Sequence, residues 1–231
     1  MNDTDLNLGN VVALKSKDVE MGHPTITLVT RYWDSLRAGR LVPQREEIDP
    51  REIQNALSYS FILDRTRPGS VRFRLSGMHL NDVLGMEARG MPVRALCDVP
   101  YRQRFMEKVE QVFEKPALLE ADLRADRGRA GAMRARLVLL PLSTHGAKGV
   151  EVNRALGIFV TDGPAIDPPT RFATRGFAIT PLERGVSAFD SRRDLQPAGM
   201  AEDMSEFLLP AQAPERQVGK PKLRVLQGGK S

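Results

Sequence analysis

Residues 59–75 read YSFILDRTRPGSVRFRL and hold the pattern that decides the fold. In Tyr59–Leu63 and again in Val71–Leu75, large apolar side chains alternate with other residues, which is the period of a β-strand. Between these two segments, Asp64–Gly69 includes a proline followed by a glycine, a composition typical of turns. The stretch therefore predicts an antiparallel hairpin with one face in water.

Helical patterns lie on both sides of this hairpin. Upstream, residues 25–38 place apolar side chains at three- and four-residue spacing, as an amphipathic helix does. Asp49 precedes Pro50 and is followed three residues later by Glu52, which predicts the start of a helix over 50–57. Downstream, we predict short helical segments at 79–84 and 93–97 and a longer helix at 101–114.

Three further strands are predicted in the second half of the chain. They cover 117–123, 132–140 and 156–161. With the first hairpin, this order of elements predicts an α+β domain whose antiparallel sheet is covered on one face. We assign 1–24 to a flexible leader, 25–162 to the domain with its N-terminal helix, and 163–231 to a largely irregular tail that contains one short strand-like segment, Leu223–Leu226.

The composition narrows the class of protein. The 231 residues include 34 Lys and Arg against 29 Asp and Glu, so the formal net charge is +5. Acidic and basic residues are interspersed, which favours a solvated surface over a nucleic-acid footprint. A single cysteine excludes an internal disulfide. No apolar run reaches the roughly 20 residues of a membrane helix, and the N-terminus lacks the order of a signal peptide, so we predict a cytoplasmic protein.

The segment before the hairpin resembles a known family. Residues 32–40 read YWDSLRAGR, and they are followed by Pro43, Arg45 and then Ile48-Asp49-Pro50. This pattern, YW..LR.GR..P.R..IDP, is similar to the opening of a PAS-like family found mostly in alphaproteobacteria. The resemblance extends over about 30–160 and implies a five-stranded antiparallel sheet with helices on one face, plus an N-terminal flanking helix. It also implies a signalling role as a ligand sensor, dimerisation module or adaptor.

Cofactors were considered from the residues that could hold them. Cys97 lacks the flanking residues of flavin-binding photosensory PAS domains, so we interpret it as a buried structural cysteine. His79 is the one histidine placed to ligate a haem, but the long helix that usually carries that ligand has none, and a capping or surface role is favoured. The three histidines show no zinc-binding pattern. Haem and flavin are both disfavoured, no metal site is predicted, and the cofactor stays unknown.

Two sets of apolar residues form candidate sites. One set is predicted to lie between sheet and helices, where it would either wall a cavity for a small apolar ligand or fill a core without one: Phe61, Phe73, Leu75, Leu84, Phe105, Val109, Leu137, Leu139 and Ile158. The other is the stripe of the N-terminal helix, which must pack on its own sheet or pair with a second copy, and we favour a homodimer: Ile26, Val29, Trp33 and Leu36.

No catalytic motif accompanies these sets. The sequence has no Gly-x-Ser-x-Gly, no Walker-type phosphate loop and no HExxH, and we predict a non-enzymatic protein with no catalytic residues. The leading hypothesis is a PAS-type sensor or adaptor that signals through protein partners. The alternative is a nucleic-acid-binding regulator that uses an arginine-rich hairpin and a Lys220-Pro221-Lys222 tail, the hairpin arginines being Arg124, Arg127, Arg129, Arg134 and Arg136.

Overall fold

A six-stranded antiparallel sheet forms the centre of the molecule. The computed structural model describes residues 23–126, 131–146, 149–163 and 167–188. The strands lie in the order β2-β1-β5-β4-β3-β6. Their bounds are β1 Ser60–Arg67, β2 Ser70–Ser76, β3 Ala117–Asp126, β4 Ala132–Gly146, β5 Gly149–Asp162 and β6 Ala173–Pro181.

Three α-helices and four short 3-10 helices accompany the sheet in the described residues. Asp49 caps a 3-10 helix by accepting a hydrogen bond from the Arg51 amide at 2.9 Å, with Pro50 as the first helical residue. The predicted start signal is thus confirmed, although the helix is not α. The α-helices are α1 Pro24–Arg37, α2 Met78–Leu84 and α3 Arg102–Glu114, and the 3-10 helices are Arg45–Glu47, Pro50–Tyr59, Val93–Leu96 and Val99–Tyr101.

Apolar side chains cover both faces of the sheet. The inner face packs under α2, α3 and the 93–96 turn. The outer face packs under α1 and the 50–59 helix. The α+β prediction is confirmed, but helices lie on two faces because the central strands are apolar on both sides. The outer face presents Ile62, Leu118, Val138, Leu140, Leu142, Leu156, Ile158 and Val160.

The stripe of α1 packs on its own sheet. Val29 and Trp33 are fully buried there, and Ile26 is 5% exposed. The Trp33 indole Nε1 donates a hydrogen bond to the Pro141 carbonyl of β4 at 3.0 Å, which fixes the helix over the strand. Leu36, at the end of the stripe, is partly buried against the same cluster. These side chains therefore have a partner within one chain.

The end of α1 is tied to chain that follows β6. The buried Arg37 guanidinium donates to the carbonyls of Glu183 and Val186 and pairs with Asp34 at 2.9 Å. Asp34 in turn accepts a hydrogen bond from the Ala188 amide at 3.1 Å. Two residues of the opening segment, Asp34 and Arg37, thus join α1 to residues 183–188, while Trp33 anchors the helix to β4.

The prediction that 163–231 is largely irregular is wrong for the part of this range that contains β6. This strand pairs with β3 along its length, from Ala117 opposite Pro181 to Arg124 opposite Ala173. Its sequence, ATRGFAITP, contains a glycine and a proline and shows no clean alternation, so pairing with β3 decides its strand state. Residues 189–231, including the predicted Leu223–Leu226 segment, lie outside the described residues, as do residues 1–22 of the predicted leader.

Candidate functional site

The inner face brings together most of the residues predicted to surround a cavity. Seven of the nine belong to one buried cluster between the sheet and the helices: Phe61, Phe73, Leu84, Phe105, Val109, Leu137 and Leu139. None of the seven is more than 2% exposed. The topology therefore does converge these side chains, as the sequence pattern indicated.

Aromatic rings occupy the middle of this cluster. Phe61 and Phe73 meet edge to face with ring centroids 5.3 Å apart, and Phe159 and Phe172 meet in the same way at 5.5 Å. The ring of Phe61 lies over Gly157 so closely that a Cβ at that position would be 2.1 Å from it. The protein's own aromatic side chains thus occupy the middle of the inner face.

Two residues of the predicted cavity lie elsewhere. Leu75 is 48% exposed, because the register of β1 and β2 shifts between Ile62 and Leu63 and leaves Arg74 without an opposite residue. This bulge pairs Leu75 with Ile62, which faces the outer layer. Ile158 also faces the outer layer, where it packs in the cluster under α1.

The misplacement of Ile158 has a simple cause. Leu156–Val160 is an unbroken buried run, so the sequence shows no alternation from which to read the face. The register settles the question: Leu137 lies opposite Phe159, so Phe159 shares the inner face and Ile158 does not. On β5, Phe159 is the inner-face residue that should have been named in place of Ile158.

A surface pocket lies beside the β1–β2 turn. It measures about 300 Å³ and is formed where the turn, the loop before the 93–96 helix, and α3 meet. We call it the hairpin–helix pocket, lined by Arg67, Pro68, Gly69, Ser70, Val71, Arg72, Pro92, Arg94 and Met106. A more open groove of about 870 Å³ continues from it along α3 and shares Gly69, Arg94 and Met106. Of the residues that the structure describes, none from the predicted internal cavity lines either space.

One carboxylate fixes the walls of the hairpin–helix pocket. Glu110 of α3 accepts a hydrogen bond from the Gly69 amide at 2.9 Å through one oxygen and from Arg65 Nε at 2.7 Å through the other. Arg65 also pairs with Glu114 at 3.3 Å and lies 5.8 Å from the centre of the Phe113 ring. The turn is therefore held to α3 by charge-assisted bonds, and the pocket is preformed.

Among the described residues, the lining of the pocket includes three arginines and no acidic side chain. Arg72 donates to the Gly90 carbonyl at 2.9 Å, a neutral partner that leaves its charge uncompensated. Within the described ranges, the guanidinium groups of Arg67 and Arg94 make no hydrogen bond and no ion pair, and both side chains are exposed. Sequence reasoning missed these three because 67, 72 and 94 are brought together only by the fold.

The arginines of the β3–β4 hairpin are in a different state. Arg124 pairs with Asp126 at 2.8 Å, Arg136 contacts Asp122 at 3.4 Å, and Arg134 pairs with Asp162. Each positive charge described there has an aspartate beside it. Arg127 and Arg129 lie outside the described residues.

A comparison with known families identifies the fold. A family model described as a PAS domain matches residues 21–160, more than half of the chain. This protein belongs to the PAS domain family. The PAS match ends within β5, so β6 and the return to α1 lie beyond it. Comparisons with curated proteins and with solved structures found no match.

In this PAS domain, Cys97 is a buried residue, as predicted. Burial raises the pKa of its thiol to about 12, with the neighbouring Asp98 adding in the same direction. The sulfur is therefore protonated at neutral pH and is a poor nucleophile. Its backbone bridges to Phe172, just before β6, which suits a structural position.

His79 neither caps a helix nor lies free on the surface, contrary to the prediction. Gly77 is the N-cap of α2, and no side chain bonds there. The His79 ring instead lies 4.8 Å from Tyr59 and 5.9 Å from Phe159, and its Nε2 is 3.0 Å from the Thr161 hydroxyl. Burial lowers the pKa of His79, opposed by Asp82 and reinforced by His23. This imidazole is a packing residue at the junction of the two layers.

Other chemistry finds little support in the described ranges. They contain no group of three or more His, Cys, Asp or Glu side chains placed to hold a metal ion. No helix among them combines the length and the apolar character required to cross a bilayer. The PAS domain therefore offers two features with functional content, a packed aromatic core and a positively charged surface pocket.

Proposed function

We propose that this PAS domain protein is a non-enzymatic signalling adaptor that acts through surface contacts with protein partners in the cytoplasm. The observation that carries the proposal is the filling of its inner face by Phe61, Phe73 and Phe159, with Phe61 seated on Gly157. A PAS domain whose centre is packed in this way acts as a scaffold, and partners recognise it through residues on its surface.

The packed core can be tested with an apolar probe. A cavity made by Phe105→Ala should bind benzene, so added benzene should raise the unfolding temperature of this variant but not of the wild type. The substitution itself should cost about 3–5 kcal/mol. Val109→Ala opens a smaller space at a lower cost and serves if the first variant fails to fold. A wild-type protein that benzene stabilises would contradict the packed core.

Native mass spectrometry of freshly purified full-length protein gives an independent check. We expect the mass of the polypeptide alone, because aromatic side chains of the protein occupy the middle of the inner face. A stoichiometric organic adduct that is released on denaturation would favour the sensor version of the PAS hypothesis and would identify the ligand. The same spectrum reports the oligomeric state.

The predicted homodimer needs a different surface from the one first assigned to it. The stripe of Ile26, Val29 and Trp33 is buried against its own sheet. A dimer through α1 would use the outward side of the helix, where Leu28 is 43% exposed. Leu28→Glu should then convert a dimer to a monomer in sedimentation experiments, and an unchanged dimer would exclude this surface.

The alternative, a nucleic-acid-binding regulator, is disfavoured by the ion pairs of the β3–β4 hairpin. Arg124, Arg134 and Arg136 already lie against aspartates, so a phosphate backbone would have to compete for them. Lys220 and Lys222 lie outside the described residues. Binding to an oligonucleotide that weakens steeply with added salt would revive this alternative.

The finer assignment to the alphaproteobacterial PAS-like family rests on the opening motif.

A further inference from the structure

The hairpin–helix pocket has the features of a binding site for an anion. Its volume of about 300 Å³ is that of a small-molecule site, and its wall carries three guanidinium groups with no carboxylate. By contrast, Arg65 of the same hairpin is paired with Glu110, and Arg124 and Arg134 of the β3–β4 hairpin are paired with aspartates. An uncompensated cluster of this kind repels itself unless a counter-charge binds.

The walls are held in place before any ligand arrives. Glu110 pins the turn through the Gly69 amide and Arg65, while Phe73 donates its amide to the Met91 carbonyl at 3.0 Å and fixes the loop that leads to Arg94. Arg72 is oriented by its bond to Gly90. Because the backbone is already positioned, binding would cost little beyond the ordering of the exposed arginine side chains.

We propose that the hairpin–helix pocket binds a small phosphate-bearing anion through Arg67, Arg72 and Arg94. Guanidinium groups form paired, charge-assisted hydrogen bonds to phosphate oxygens. A planar carboxylate is satisfied by a single bidentate arginine, whereas a tetrahedral phosphate presents oxygens in several directions. Three arginines around one pocket therefore fit phosphate better. Pro92, Val71 and Met106 supply an apolar wall for the organic part of the ligand.

This site is separate from the packed core on which the proposed function rests, so either proposal can fail alone. The three pocket arginines are exposed beside the β1–β2 turn, and none of the pocket residues belongs to the predicted internal cavity. Val71 is part of the inner cluster and Met106 packs against it, so these two residues form the floor that the pocket shares with the core. An empty core in the benzene experiment says nothing about the pocket, and a failed anion titration leaves the adaptor proposal intact.

The test is a calorimetric titration of the full-length protein with inorganic pyrophosphate at low and moderate salt. We expect one site per chain and weaker binding at higher salt, because exposed charges are screened. Arg67→Gln and Arg94→Gln should each weaken binding by about tenfold, the loss expected for one charge-assisted contact. Both side chains are exposed and make no described hydrogen bond or ion pair, so both variants should fold.

Arg134→Gln is the matched control. It removes the same charge from an exposed arginine of the other hairpin, where Asp162 is its partner. Affinity within about twofold of the wild type is expected, since only the general field of the protein changes. A parallel titration with citrate distinguishes carboxylate from phosphate recognition.

Each result of these titrations either supports or overturns the proposal. One pyrophosphate site that depends on Arg67 and Arg94 but not on Arg134 supports the proposal. No binding at low salt, or an equal loss in all three variants, would overturn it. Citrate bound more tightly than pyrophosphate would overturn the phosphate assignment, and the pocket would then be a carboxylate site.

Discussion

The two arginine-rich hairpins of this PAS domain differ in whether their arginines are paired with carboxylates. In the β3–β4 hairpin, the described arginines are each matched by an aspartate on the same or a neighbouring strand. Among the described ion pairs, Arg65 is the one arginine of the β1–β2 hairpin that is matched, by two glutamates of α3. Arg67 and Arg72 instead join Arg94 around a pocket that has no acidic residue.

This comparison shows that the number of arginines in a stretch of sequence does not identify a binding site. Counting favours the β3–β4 hairpin, because more arginines are close together in its sequence. The structure favours the β1–β2 hairpin, because the neutralising carboxylates are absent from its pocket. Surface ion pairs add little stability, but they do determine which positive charges remain available to a ligand.

For the comparison of the two hairpins, the largest expected loss of stability comes from the contact that packs β1 against β5 in the core. Gly157→Ala would place a Cβ 2.1 Å from the ring of Phe61 on β1, so either the ring or the strand must move. We expect a loss of about 3 kcal/mol in the free energy of unfolding. Gly176→Ala on β6 is the control, because its nearest atom is an Asp122 oxygen at 3.6 Å. Urea denaturation measures both, and equal losses would show that Phe61 is not the cause.

The next effect compares the paired arginine of each hairpin. Arg65→Ala should cost about 2 kcal/mol, because the Glu110 side chain, only 16% exposed, loses its partner and Phe113 loses cover. Arg134→Ala should cost about 0.5 kcal/mol, because that pair is exposed on both sides. If the two variants unfold at the same urea concentration, the clamp between the turn and α3 contributes nothing and the pocket is not preformed.

A smaller effect is a dependence of stability on pH at the base of the β1–β2 hairpin. Folding lowers the pKa of His79 below its ordinary value of 6.5, chiefly by burial. The unfolded chain therefore binds the proton more readily, and stability is lost as the pH falls below that value. His23 has a lowered pKa as well and acts in the same direction.

His79→Gln tests this dependence. The variant should lose less stability than the wild type between pH 7.5 and pH 5.5 in parallel urea titrations. The reason is that one of the two histidines with a lowered pKa, His79, has been removed. A wild type with the same pH dependence as the variant would exclude His79 as the source.

The smallest expected effect is a change in stability whose sign differs between arginines without a carboxylate partner and arginines with one. Arg94→Gln removes a charge that has no described partner and faces Arg67 and Arg72 across the pocket, so stability should stay constant or rise slightly. Arg136→Gln removes a partner of Asp122 and should cost up to about 0.5 kcal/mol. Chemical denaturation at low salt gives the largest separation. A clear loss for Arg94→Gln would mean that this side chain has a structural partner.

Local pattern predicted the elements well where turn chemistry and alternation agree. The hairpin over 59–75, the start at Asp49 and the helix ending before Pro116 all have local physical causes, and the structure contains them. Strand edges were less well defined, since β4 and β5 extend well beyond the predicted 132–140 and 156–161. The extra residues pair with each other, and long-range pairing leaves no local signal.

The site was predicted only in part, for the same reason. Seven wall residues were placed correctly because each lies on a strand or helix with a clear apolar face. Leu75 was misplaced by a bulge, and Ile158 by a run buried on both faces. The pocket arginines gave no signal beyond a basic residue near each side of a Pro-Gly turn, because Arg94 comes from the 93–96 helix, which is distant along the chain.

The sequence by itself determined the α+β class, the PAS-type order of elements and the buried state of Cys97, because these follow from short-range periodicity, turn residues and a local motif. The tertiary structure decided the rest. It added β6 to the sheet, turned α1 onto the outer face, and used Arg37 to join residues near 34 and 186. It also decided which arginines keep a free charge, since neutralisation depends on the distance to a carboxylate in space and not on separation along the chain.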